Sequence, residues 1–187
     1  MKKCIILFSD GTEEIEALTP VDVLRRAGVS CVLAKVPAKG TGKELTAVGS
    51  HGIKVVCDTL VSDVSDELPD MVIVPGGMPG ALNVGADRDA VKLIKRAYES
   101  GKFVSAICAA PSVLGRLGML EGRGATCYPG FEKELKGAVL SSSKVVRDGS
   151  VITAAGMGVA LDFALECARA LCGDETAEKL SAGVVRG

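Results

Sequence analysis

The chain has 187 residues, 48% of them hydrophobic, and a formal net charge of −1 at pH 7; this suits one well-packed core, so we expect a single domain over residues 1–187. The balanced charge, the absence of Trp and the few Tyr and Phe residues argue against nucleic acid as a partner. Without an apolar run of membrane-spanning length or a start long enough for a signal peptide, the sequence predicts a cytoplasmic protein that does not enter membranes.

The first 36 residues alternate between apolar runs and helical patterns. They predict a strand over 2–8, a short helix over 13–17 capped by Thr12, a second helix over 19–27 and a strand over 29–36. Glu13 and Glu14 suit the first turn of a helix, where negative charge is favourable. Glu16 has two open interpretations, an ordinary surface carboxylate or one turned inward beside its apolar neighbours.

The middle of the chain adds a hairpin, a buried strand and a glycine-rich loop. The pattern predicts strands over 45–48 and 53–57 around a turn at 49–52, a strand over 71–74, a loop over 75–80 and a helix over 88–100. His51, the one histidine, lies in the hairpin turn, where we expect it to be solvated rather than catalytic. The adjacent Gly76 and Gly77 leave backbone N–H groups free to face a reacting oxygen, although such a pair is usually only a turn.

The last third of the chain continues the alternation of strands and helices. We predict strands over 103–107 and 125–127, a hairpin of 145–147 with 151–154, and helices over 159–171 and 174–182. Strands that alternate with helices at this spacing indicate an α/β fold with one mostly parallel sheet between helix layers.

Cys108 follows the buried strand over 103–107 directly, and Pro111 suits the first turn of the next helix. A nucleophile on a strand-to-helix turn is the arrangement of the nucleophile elbow, here with cysteine in the place of serine. The following N–H groups would favour a thiolate, whereas the competing interpretation is a buried structural cysteine. The odd count of seven cysteines, without close spacing, indicates reduced thiols rather than disulfides or a zinc site.

Four motifs, taken together and in order, resemble the DJ/ThiJ/PfpI superfamily and, within it, the branch of the parkinsonism-associated protein deglycase. They are DGTEEIE at 10–16, PVDVLRRAG at 20–28, VPGG at 74–77 and AICAAP at 106–111. The resemblance implies a flavodoxin-like three-layer sandwich, usually a homodimer. It also implies a nucleophilic, easily oxidised cysteine at Cys108, a glutamate at Glu16 that hydrogen-bonds the thiol, and oxyanion-binding amides at Gly77 and Ala109.

One position departs from the family pattern, since many members carry histidine where this chain has Tyr128. Tyrosine has a pKa near 10 and is a poor base at neutral pH, so we assign proton transfer to Glu16. The leading hypothesis is a cysteine-dependent enzyme, without cofactor or metal, that acts on methylglyoxal-type oxoaldehydes or their glycation adducts. The alternatives are a redox-sensing stress protein or chaperone that uses oxidation of the same cysteine and, third, an amidase or peptidase.

Overall fold

A computed structural model describes residues 1–42 and 44–185 of the chain. Its strands are β1 (Lys3–Phe8), β2 (Ser30–Lys35), β3 (Thr46–Val48), β4 (Lys54–Val56), β5 (Thr59–Leu60), β6 (Met71–Val74), β7 (Phe103–Ile107), β8 (Gly124–Ala125), β9 (Val139–Leu140), β10 (Val145–Asp148) and β11 (Val151–Ala154). Seven of them form the central sheet in the order β10-β11-β7-β6-β1-β2-β5. Every neighbouring pair in this sheet is parallel except β10 with β11.

Helices cover both faces of the sheet and produce two apolar cores. They are α1 (Glu14–Arg26), α2 (Val61–Val64), α3 (Gly80–Ala86), α4 (Arg88–Glu99), α5 (Pro111–Arg116), α6 (Ala160–Cys172) and α7 (Asp174–Gly183). Along β1, Ile5 and Leu7 pack toward α3, α4 and α5, whereas Cys4, Ile6 and Phe8 pack toward α1 and α6. Successive side chains of a strand point to opposite faces, so a continuous apolar strand serves both cores. The predicted α/β class with a mostly parallel sheet is confirmed.

The first helical region differs from the sequence prediction. Two helices with a break before Pro20 were expected, but α1 is continuous and contains Pro20 in its interior. The apolar stripe of Ala17, Val21 and Leu24 is buried against the sheet and α6, and this packing outweighs the one backbone hydrogen bond that proline removes. Thr12 does not cap the helix, because its Oγ1 accepts a hydrogen bond from the Ser9 N–H at 3.0 Å.

Several short elements lie outside the strands and helices that the sequence predicted, or differ from them in length. The 75–80 loop leads directly into α3, and β5, α2 and β9 are further elements that the pattern did not indicate. The strand predicted at 125–127 is only Gly124–Ala125, and Met157–Val159 forms a 3-10 turn before α6. These elements have two to seven residues, too few for a hydrophobic period to develop. Within the described residues, no helix is both long and apolar enough to cross a membrane.

Candidate active site

Cys108 lies on the turn between β7 and α5, at the carboxyl edge of the parallel sheet. Its φ angle is 65°, a left-handed conformation that a residue with a side chain rarely adopts. The surrounding backbone holds it there, since the Cys108 N–H donates to the Ala154 carbonyl and its carbonyl accepts from the Tyr128 N–H, each at 2.9 Å. The cysteine is partly exposed. This is the strand-to-helix elbow that the sequence predicted, and its backbone is strained in a way that is concentrated at functional sites.

Glu16 projects from the first turns of α1 into the interior and is only 1% exposed. Its Oε2 accepts a hydrogen bond from the Gly76 N–H at 2.9 Å. Its Oε1 is buried and has no hydrogen-bond partner of ordinary geometry among the described residues. Burial raises the pKa of the carboxyl to about 7, although the Cys108 thiol and the Gly76 amide favour the charged form. Of the two interpretations of Glu16, the inward one is confirmed.

Gly76 brings the thiol and the carboxyl together because it has no side chain. A Cβ at this position would lie 2.6 Å from the Cys108 Cβ and 2.6 Å from the Glu16 Oε2. Both groups therefore occupy the space that any other residue at 76 would fill. The glycine pair stands out in the sequence for its free N–H groups, but this steric requirement becomes visible only in the folded chain.

The ionisation of Cys108 is set by opposing influences. Burial and the Glu16 carboxylate raise the pKa of the thiol to about 12, whereas the N–H groups of Ala109 and Gly77 lower it. The stabilised thiolate that the sequence predicted stays a prediction, because the amides act in the predicted direction whereas burial and an ionised Glu16 oppose them. Protonation of Glu16 removes that opposing charge. The acid and the thiol therefore behave as one coupled unit.

The His51 imidazole contacts Ser50 and the carboxylates of Glu13 and Glu14. Its side chain is 70% exposed, as predicted, and its Nδ1 lies 3.1 Å from Oε2 of both Glu13 and Glu14. These carboxylates raise the pKa of the imidazole. One ligand-type atom from each of the three residues lies within 4.8 Å of the others, a grouping that chain spacing did not indicate, but the ion pairing accounts for it without a metal. Tyr128, next to Cys108 through the backbone, is half exposed.

Fold and site together define an α/β protein with a cysteine on a strand-to-helix elbow beside a buried carboxyl group. The DJ-1/PfpI family model matches residues 2–170, and the chain belongs to the DJ-1/PfpI family. The family resemblance read from the four motifs is thereby confirmed.

Individual relatives agree with this assignment. Protein DJ-1 homolog B of Arabidopsis thaliana is 37% identical, over 98% of this chain and 41% of that protein. Protein dj-1beta of Drosophila melanogaster is 32% identical, over 98% of this chain and 97% of that protein. A solved structure of oxidized Toxoplasma gondii DJ-1 superimposes with a TM-score of 0.93 at 32% identity, covering 99% of this chain and 98% of that one. The chain spans less than half the length of the two Arabidopsis relatives that it matches.

Proposed function

We propose that the protein is a cofactor-independent enzyme for methylglyoxal-type oxoaldehydes or the adducts that they form with amines and thiols. The observation that carries the proposal is the placement of the Cys108 thiol next to the buried Glu16 carboxyl, with the N–H groups of Gly77 and Ala109 acting on the same sulfur. A nucleophile, a proton carrier and two oxyanion donors are the parts that addition to a carbonyl needs.

Burial raises the pKa of Glu16 to about 7, which favours a neutral carboxyl group beside the sulfur. The Cys108 thiolate adds to the aldehyde carbon while this carboxyl serves as its hydrogen-bond donor. The negative charge moves from the sulfur to the substrate oxygen, where the N–H groups of Gly77 and Ala109 stabilise it. The total charge of the buried site stays constant through this step.

Glu16 can then carry the proton between the two substrate carbons. In a methylglyoxal hemithioacetal, the carboxyl protonates the oxyanion and removes the proton from the sulfur-bearing carbon. Transfer of this proton from Glu16 to the neighbouring carbon gives a lactate thioester of Cys108. Water breaks the carbon–sulfur bond, lactate leaves, and the thiol recovers its proton. With a glycated amine or thiol as substrate, the same addition ends with release of the amine or thiol.

The test is glutathione-free consumption of methylglyoxal by the pure protein, with lactate measured as the product. Replacing the nucleophile or the proton carrier should each lower kcat by at least about 100-fold, so C108S and E16A are the variants to measure. Circular dichroism and thermal unfolding of the same preparations show whether the fold is retained. Turnover that survives C108S in a folded protein contradicts the proposal.

A second candidate function is a redox sensor, with or without chaperone activity, that uses oxidation of the same Cys108. Its partial exposure favours this candidate, as does the solved oxidized form of the Toxoplasma gondii relative. Two equivalents of peroxide would convert the thiol to a sulfinic acid with loss of two waters. Negligible turnover together with stoichiometric gain of two oxygens at Cys108 would favour the sensor. An amidase or peptidase ranks third, because Tyr128 stands where a histidine base would be required.

We also propose a homodimer in a reducing compartment such as the cytoplasm. All seven cysteines are free thiols, which is typical of proteins kept under reducing conditions.

The homodimer is supported by an apolar surface on α1 and the adjoining hairpin, where the side chains of Ile15, Leu18 and Ile53 are 37–54% exposed. Exposed apolar groups that cluster in this way mark interaction surfaces.

A further inference from the structure

A pair of cysteines lies at the amino-terminal edge of the parallel strands, opposite the edge that carries Cys108. Cys4 in β1 and Cys31 in β2 are direct register partners in adjacent parallel strands. Both side chains belong to the core on the α1 and α6 face, so they point to the same side of the sheet. Neighbouring strands are about 4.8 Å apart, and disulfides form at Cα separations of about 4.4–6.8 Å. The fold therefore holds two free thiols at a distance that one covalent bond can span.

The two thiols are not equivalent. Cys31 is 7% exposed and Cys4 is 0% exposed, so a small oxidant meets Cys31 first. A hydrogen bond from the Cys4 thiol and the nearby Arg25 cation lower the pKa of Cys31, against the effects of burial and Asp58. Burial and Cys31 raise the pKa of Cys4 well above its usual value. The Arg25 guanidinium is held next to Cys31 because its Nε and Nη2 donate to the Cys31 carbonyl at 3.2 and 3.1 Å.

The strand pairing leaves Cys31 near the border of the sheet. On the far side of β2, β5 pairs only with Ala34 and Lys35, so it does not extend to Cys31. Cys31 is the less deeply buried and more acidic thiol, and Cys4 is fully buried and protonated. This difference suits Cys31 as the cysteine that attacks the oxidant and Cys4 as the one that resolves the sulfenic acid.

We propose that Cys4 and Cys31 form a second, reversible redox site that closes to an intramolecular disulfide on exposure to a peroxide. The Cys31 thiolate attacks one peroxide oxygen, the O–O bond breaks, and a sulfenic acid and one water result once protons are balanced. The Cys4 sulfur then attacks the Cys31 sulfur, the S–O bond breaks, and a second water leaves. Two thiols are oxidised, one peroxide is reduced to two waters, and a dithiol reductant reverses the change.

This site works independently of the proposed aldehyde chemistry. Cys4 and Cys31 occupy the second positions of their strands, whereas Cys108 follows the last residue of β7. In a parallel sheet these positions lie at opposite edges. The redox chemistry of the pair can therefore be measured in the C108S protein, in which the elbow thiol no longer competes for the oxidant.

The experiment treats full-length C108S with hydrogen peroxide, blocks the remaining thiols with N-ethylmaleimide, digests with trypsin without reductant and analyses the peptides by mass spectrometry. Cleavage after Lys3, Arg25, Arg26 and Lys35 places Cys4 in peptide 4–25 and Cys31 in peptide 27–35, each with no other cysteine. We expect the two peptides joined, at their combined mass less two hydrogens, and separated again by dithiothreitol. The wild-type chain gives the same readout, because Cys108 lies in another peptide.

Two variants test the roles of the sulfurs. C4S should abolish the linkage and leave Cys31 as a sulfenic acid that dimedone traps. C57S, which removes a comparably buried cysteine outside the pair, should leave the linkage unchanged. Cys167 is close enough to interact electrostatically with both Cys4 and Cys31, so a linkage of either cysteine to Cys167 would overturn the assigned pair. Recovery of both peptides fully alkylated after peroxide treatment would overturn the redox site itself.

Discussion

At the scale of single residues, Glu16 and Cys108 oppose each other's ionisation because both become negative in the same buried space. After burial, the Glu16 carboxylate is the strongest influence that raises the thiol pKa. A neutral isostere should remove that contribution and leave the N–H groups of Gly77 and Ala109 in place. We therefore expect E16Q to lower the Cys108 pKa below its wild-type value of about 12.

The rate of Cys108 alkylation by iodoacetamide as a function of pH measures this change directly, with the modified residue identified by mass spectrometry. The reaction rate follows the thiolate fraction. E16Q should react faster than wild type at neutral pH while it loses turnover of aldehyde, since it can no longer carry a proton. An alkylation profile identical to that of wild type would show that the two groups are not coupled.

The raised pKa of Glu16 also determines how the stability of the fold should depend on pH. Burial raises its pKa from 4.5 to about 7 in the folded chain, so the unfolded state ionises first. Its contribution to stability is complete below pH 4.5 and is lost as the pH rises through about 7, at a cost of up to about 3 kcal/mol. In urea unfolding across this pH range, the free energy of unfolding of E16Q should not decline in this way. E16Q should therefore become more stable relative to wild type as the pH increases. A constant difference between the two proteins would contradict the raised pKa.

At the scale of elements, the loop after β6 determines whether the site can form. The Cβ of G76A would lie 2.6 Å from the Cys108 Cβ and from the Glu16 Oε2, so the thiol and carboxyl must separate. We expect turnover to fall by at least about 100-fold, since a small displacement of reacting groups is costly. Steady-state kinetics of the folded variant measure the loss.

The matched control for this substitution is G85A in α3. A Cβ at Gly85 would approach nothing closer than 3.4 Å, the Val113 Cγ2, and alanine is favoured over glycine within a helix by about 1 kcal/mol. G85A should keep full activity and equal or greater stability. If G76A retained wild-type kcat, Cys108 and Glu16 would not need the contact that Gly76 permits.

The sequence predicted best those elements whose apolar runs have clear boundaries. β6 and β7 match their predicted bounds because both consist of short apolar runs between polar or glycine-bearing segments. The turn at Cys108 followed from β7 and Pro111, so the position of the candidate nucleophile could be located. The inward position of Glu16 could not be predicted, because a single glutamate between apolar neighbours does not establish a helical periodicity. It depends on tertiary contact with Gly76, sixty residues away.

At the scale of the whole molecule, an apolar surface remains uncovered in the single chain. Ile15 and Leu18 on α1 and Ile53 beside β4 are 47%, 37% and 54% exposed, and with Leu161 they line one shallow, open cavity. The first turn of α1 also carries Glu16, so this surface and the candidate site lie on two sides of one helix. Docking of a second copy here would restrain the helix that positions the carboxyl.

The expected homodimer can be disrupted at this surface without a change in the site residues. L18E would place a charge in the contact between two copies and should weaken their association by about 3 kcal/mol or more, because a buried charge without a partner is costly. L68E is the control, since Leu68 is 46% exposed but does not line this cavity. In sedimentation velocity, wild type and L68E should run as dimers and L18E as the 19.2 kDa monomer. Dimers that persist in L18E would assign the association to another surface, and a monomeric wild type would contradict the homodimer.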